Sequence, residues 1–237
     1  MCLCHLAQRG DPAYLKGFAE PIILPDDQFG DVMRKYDRLI TEIARDFTDG
    51  RLDPIGFEEA MSDVLRAMHP ESNYAGQEMA DYLPPSKTLA RQRGIAVAAS
   101  EVQYLRGFAL ALSNRDPRYW DAEAGEWRSI AIEARSRSYM GRGRGSATDG
   151  WGIASGGVNT IVNWSLGAVE EHCDDCPVLA ARGPWLLYGS TGQFDYPTLG
   201  FLPGENRTPC MMYCECRIVR LSDGMASPAP FEFDTAA

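Results

Sequence analysis

The sequence predicts an α+β chain, with an N-terminal helical body followed by a small, loop-rich β unit stapled by a cysteine cluster. Three observations carry that expectation. Apolar residues recur with helical period between about residues 31 and 140. From Trp151 the period gives way to β-branched residues bounded by glycine, as in "GGVNTIVNWSLGA". Five of the seven cysteines fall in two clusters, "HCDDC" at 172–176 and "CMMYCEC" at 210–216.

Taken in order, residues 1–30 are rich in Pro and Gly ("GDPAY", "EPIILPDDQFG") and read as an extended arm. A helical domain follows over 31–145. Its first helix carries Val32, Met33, Tyr36, Leu39, Ile40, Ile43 and Phe47 on one stripe, and "DGRLDP" ends it. Asp53 then suits an N-cap with Pro54 at the first helical position. Phe57, Met61, Val64, Leu65 and Met68 form the next stripe, which stops at "HPESN". Ser86 caps a third helix that runs to about Leu112. A fourth is expected from Asp121 to about Tyr139, with Glu123 and Glu126 favoured near its positive end. "GRGRGSATDGWG" reads as a terminating loop. Residues 150–224 are expected to form the β unit, with strands in "GGVNTIVNWSLGA" and "CRIVRLSD", and 225–237 an extended tail.

A chain of 237 residues with 45% hydrophobic content can bury a sizeable core. A net charge of −10 argues against a nucleic-acid coat protein, which is ordinarily basic. No uninterrupted apolar run reaches membrane-span length, and "MCLCHLAQRG" lacks a basic n-region and an apolar h-region. The expectation is therefore a cytosolic chain with no membrane partner, where clustered thiols stay reduced and favour metal over disulfide.

Cys173 and Cys176 (C-x2-C), with Cys210, Cys214 and Cys216 (C-x3-C-x-C), offer five thiols in two knuckle-like groups. Zn²⁺ takes four N or S ligands in a tetrahedron, which paired cysteines at two loci supply. The second pair is drawn from Cys210, Cys214 and Cys216, and His172 is a substitute ligand. A closed tetrahedral site of this kind is structural. Disulfides formed after release into an oxidising medium, and free thiols, are the other readings. A redox-active C-x-x-C needs a lowered thiol pKa, and Glu170, Glu171, Asp174 and Asp175 oppose that. A divalent cation removes the conflict.

Other candidates have plainer readings. Cys2, Cys4 and His5 lie at a chain end. His69 sits where the second helix should finish, and an imidazolium there would interact well with the helix dipole, with no Ser or Cys partner evident. Arg135, Arg137, Arg142 and Arg144 cluster without an intervening acid. They are either a solvated helix end or a contact surface for packaged DNA or a partner's acids. "GRGRG" lacks the G-K-[ST] of a phosphate-binding loop, and neither G-x-S-x-G nor H-E-x-x-H occurs.

The order "NWSLGAVEEHCDDC", "LAARGPW", "YPTLGFLPGE" and "CMMYCECRIV" resembles the C-terminal end of tailed-phage minor head proteins, in particular the phage Mu F-like head-morphogenesis group. Upstream, "GRLDPIGFEEAMSDVLRAMH", "YLRGFALAL" and "IAIEARSRSYMGRGRG" are similar to that group's helices, so the resemblance covers roughly residues 45–220. The chain departs from the pattern in its first thirty residues and in its five clustered thiols. The resemblance implies a non-enzymatic virion protein made in the host bacterial cytoplasm. Portal, capsid or neck subunits would be its partners, and it would be present as a symmetric homo-oligomer. The alternative from another class is a phage-encoded zinc-dependent nucleic-acid enzyme using His172 beside the thiols.

Overall fold

Five helices build the body of the protein, seen in a computed structural model that describes residues 27–156, 160–167, 172–187, 203 and 215–229. α1 spans Asp27–Thr48, α2 Pro54–Ala80, α3 Lys87–Ser113, α4 Ser129–Arg137 and α5 Met140–Ala154. A two-stranded hairpin, β1 (Trp120–Asp121) with β2 (Glu126–Trp127), links α3 to α4. Beyond the body lie β3 (Ile161–Ser165), the short helix α6 (Asp175–Arg182), β4 (Trp185–Leu186) and β5 (Arg217–Arg220). The predicted fold class, a helical body followed by a small antiparallel sheet with cysteines beside it, is the fold observed.

Local chemistry sets the helix starts. Asp53 Oδ1 accepts from Gly56 N at 2.7 Å, with Pro54 at the first position. Ser86 Oγ accepts from Leu89 N at 3.3 Å. Each cap satisfies a donor that the helix leaves unpaired.

Three expectations need correction. α2 does not stop at His69; it runs through Pro70 to Ala80. A proline inside a helix costs one N–H bond and crowds the preceding turn. Here α3 meets that turn through Gly94, where a Cβ would overlap Pro70. The buried Ser72, Asn73, Ala75 and Gln77 beyond it lie in the interior. The helix expected from Asp121 is instead the hairpin: the Asp121 carboxylate accepts from Glu123 N and Ala124 N at 3.1 Å, and Gly125 closes the turn at φ 69°. Asp side chains compete in this way with helical bonding, and glycine takes the left-handed position without a Cβ penalty.

The third correction is the largest. "MGRGRGSATDGWGIA", expected to be a loop, is the buried helix α5. Its packing explains the glycines. A Cβ on Gly150 would collide with Asn73 O, and one on Gly76 of α2 would collide with Ala147 O. The two helices therefore approach backbone to backbone, and Trp151 beside the contact is fully buried. The division expected at 145–150 falls inside this helix. One hydrophobic cluster runs from Phe29 and Met33 of α1 through Leu65, Leu105 and Trp151 to Val162, Trp164 and Ile218 of the sheet.

At the arms, α1 already begins at Asp27, so the last residues assigned to the N-terminal arm are helical; residues 1–26 lie outside the described residues. Of the tail, Ala226 bridges Val219 and Ser227 N donates to Ile218 O at 2.8 Å, so its first residues extend the β unit. Residues 230–237 lie outside the described residues.

Candidate functional site

The sheet that carries the cysteines has the order β4-β3-β5, all antiparallel, with Trp164 opposite Ile218 and Val162 opposite Arg220. Trp164 and Ile218 alternate with more exposed neighbours, so one face of the sheet closes the body's core. Immediately past β3, Gly167 lets the chain pass against Glu215, since a Cβ there would stand 2.6 Å from Glu215 Cβ. That close approach positions the backbone leading into Cys216.

Cys173 and Cys176 flank the first turn of α6. Cys176 N donates to Cys173 O at 3.2 Å, and the two Sγ atoms are also 3.2 Å apart. The separation far exceeds the ~2.0 Å of a disulfide, so the two are neighbouring thiols. Two thiolates on one tetrahedral Zn²⁺ stand about 3.8 Å apart, from Zn–S bonds of about 2.3 Å. A small opening of the pair would therefore accommodate the ion. Cys176 and Cys216 are each 1% exposed and Cys173 is half-buried. His172 is also only partly exposed. Among the described residues no group of three or more His, Cys, Asp or Glu side chains is arranged to hold a metal. Cys210 and Cys214, which the expected ligand set includes, lie outside the described residues, as do Cys2, Cys4 and His5.

Two buried guanidinium groups fasten this unit to the body. Arg144 of α5, 2% exposed, donates through Nη2 to Cys216 O at 2.5 Å and through Nε to Pro228 O at 3.4 Å. Arg220 of β5, also 2% exposed, donates to Ala80 O at 3.0 Å, pairs with Asp223, and lies over the rings of Tyr82 and Trp151. Such donors satisfy carbonyls that would otherwise be buried unpaired.

Each arginine of the expected contact surface at Arg135–Arg144 has a partner within the chain. Arg137 pairs with Asp37 at 3.0 Å and Glu133 at 3.2 Å, and Arg142 with Glu101 at 2.9 Å. Arg135 lies over the Phe108 and Tyr139 rings. Arg144 lies inside the seam, and Arg135, Arg137 and Arg142 are half-buried.

Sequence reasoning also missed the partner of His69. Its Nδ1 is 2.8 Å from Ser146 Oγ in the interior, while its Nε2 has no hydrogen-bond partner. Burial, reinforced by the Arg142 charge, pushes the imidazole down to about 3, so it is neutral rather than the helix-end cation expected. Asn73 continues the polar seam, donating to Ser146 O and Asp149 Oδ2 at 3.0 Å and accepting from Gln77 at 2.9 Å. A neutral, enclosed histidine of such low basicity is a packing and hydrogen-bonding group, poorly suited to general base work. The only sequence signal was the polar run at 69–77 inside an otherwise helical stretch.

Compared with known protein families, with curated proteins and with solved structures, the chain matches none.

Proposed function

We propose that the protein is a non-enzymatic structural component of a tailed-phage particle, a head- or portal-proximal minor head protein or a head–tail connector. In this reading its C-terminal unit is stapled by a structural Zn²⁺. Cys173 and Cys176 hold the ion together with two of Cys210, Cys214 and Cys216, and the ion fixes the loop-rich unit against the body. The observation that carries the staple is the thiol pair itself, two sulfurs 3.2 Å apart at a half-buried site in a C-x2-C turn.

The placement in a virion rests on the sequence pattern around the cysteines, and the fold is consistent with it. A helical body welded by buried Arg144 and Arg220 to a small sheet is suited to bearing load in an assembly. The enzyme alternative requires a coordination position open to water and a base beside it. Cys176 and Cys216 are each 1% exposed, which favours a closed site instead. Mass spectrometry of purified virions tests the placement. The chain should be found in the particle at a fixed copy number, and its absence from the particle overturns the reading.

A further inference from the structure

The outer face of α3 is more apolar than a solvated helix requires. Over an 18-residue window its mean hydropathy reaches 1.2, high enough by length and composition to cross a membrane, yet only 39% of that window is buried. Ile95, which lines the groove described next, is 48% exposed, while Tyr104 and Leu110, 63% and 61% exposed, stand elsewhere around the helix. Between this face and α2 runs a groove of about 770 Å³. Ala67, Ile95 and Ala99 lie in its apolar lining, and Arg66, Arg91 and Arg106 rim it. Arg66 and Arg106 hold exposed carboxylates, Asp63 and Glu58, each at 3.3 Å. Exposed pairs of this kind are worth little and exchange readily. Glu71, the one carboxylate among the described lining residues, is already paired with Lys35 at 2.8 Å.

A groove with an apolar lining and three guanidinium groups at its edge fits a segment that alternates aromatic and acidic residues. This chain contains one: "PFEFD" at 230–234. In extended backbone, Phe231 and Phe233 would share one face while Glu232 and Asp234 share the other. The last described tail residues are fastened to α5 and β5, with Pro228 O on Arg144 and Ser227 on Ile218. Among the described residues the groove is lined by α2 and α3. We propose that it receives the Phe231–Asp234 segment of a second copy, so that copies join tail to groove. Phenyl burial would supply most of the attraction, and the Arg–carboxylate pairs would set register and orientation. In a chain of net charge −10, a local basic rim is also what allows copies to meet at all. Because each copy offers one tail and one groove, the contact is heterologous and builds rings or filaments. The inference does not depend on the virion reading.

Sedimentation velocity on the full chain tests it. The wild type should form oligomers. Two variants, Arg66→Glu/Arg91→Glu/Arg106→Glu and Phe231→Ala/Phe233→Ala, should each be monomeric while keeping wild-type circular dichroism. Arg91→Glu alone provides a milder groove lesion, with at least tenfold weaker association. Mixing the two multiple variants should yield pairs and nothing larger, since only one intact tail can meet one intact groove. A monomeric wild type, a variant that assembles like wild type, or a mixture that stays monomeric overturns the proposal.

Discussion

Arg144 and Cys216 are 72 residues apart in sequence, yet the guanidinium of one donates to the main-chain oxygen of the other at 2.5 Å inside the protein. The glycine-rich helix that carries Arg144 is thereby coupled to the segment that carries the cysteines.

Arg144→Met should therefore be costly. It removes donors from Cys216 O and Pro228 O while roughly keeping the apolar stem. Leaving buried carbonyls short of donors costs about 1–3 kcal/mol each, so the loss should be at least ~2 kcal/mol by urea denaturation. Arg144→Lys should recover only part of it, because an ammonium cannot span both oxygens as a planar fork does.

Glycine substitutions separate backbone contact from helix propensity. Gly150→Ala and Gly76→Ala force a methyl into Asn73 O and Ala147 O, both main-chain atoms that cannot move aside cheaply. Each should cost more than about 3 kcal/mol, above the usual overpacking range of 1–3 kcal/mol. Gly107→Ala in α3 meets nothing within 4 Å. It should instead stabilise by about 0.8–1 kcal/mol, the difference in helix propensity. Thermal or urea unfolding of the three variants reads both signs, and a stabilising Gly150→Ala would contradict the close α2–α5 packing.

The buried His69 makes stability depend on pH with a definite sign. Its folded value, about 3, lies below the ordinary value of 6.5. Between those limits the unfolded chain binds the proton and the native protein does not, so stability falls as pH drops from about 6.5 toward 3. The slope from this group approaches ~1.4 kcal/mol per pH unit. His69→Asn should be less stable at neutral pH but should lose that part of the acid slope. Denaturation at pH 7, 5.5 and 4.5 checks it; an unchanged slope in the variant would contradict a neutral, buried imidazole.

How much of this was legible in the sequence depended on whether the signal was local. Asp53, Pro54 and Ser86 announce helix starts because capping is settled within four residues; "GGVNTIVNWSLGA" announces a strand by β-branched residues between glycines, and "CRIVRLSD" by alternation. Pro70, the glycines of α5 and the acids before Gly125 pointed the wrong way. In the first two cases tertiary contact overrode propensity: α3 and α5 meet α2 so closely that proline and glycine become fitting residues. At Asp121 a side chain capped a turn where a helix start was expected. The buried roles of Arg144 and Ser146 had no local signature at all, since their partners lie 70 or more residues away. The cysteines were recognisable as a cluster by spacing alone, which brings Cys173 and Cys176 together but cannot choose among the thiols at 210, 214 and 216.

The staple is tested most directly by elemental analysis of the purified chain, together with its intact mass under native and denaturing conditions. One zinc per chain is expected, held at neutral pH by a closed thiolate site worth on the order of 10 kcal/mol. Cys176→Ser should release the zinc and unfold the sheet region while α1–α3 keep their helicity. No zinc, with a denatured mass lower by two hydrogens for each cysteine pair, would mean disulfides and would contradict the metal-stapled account.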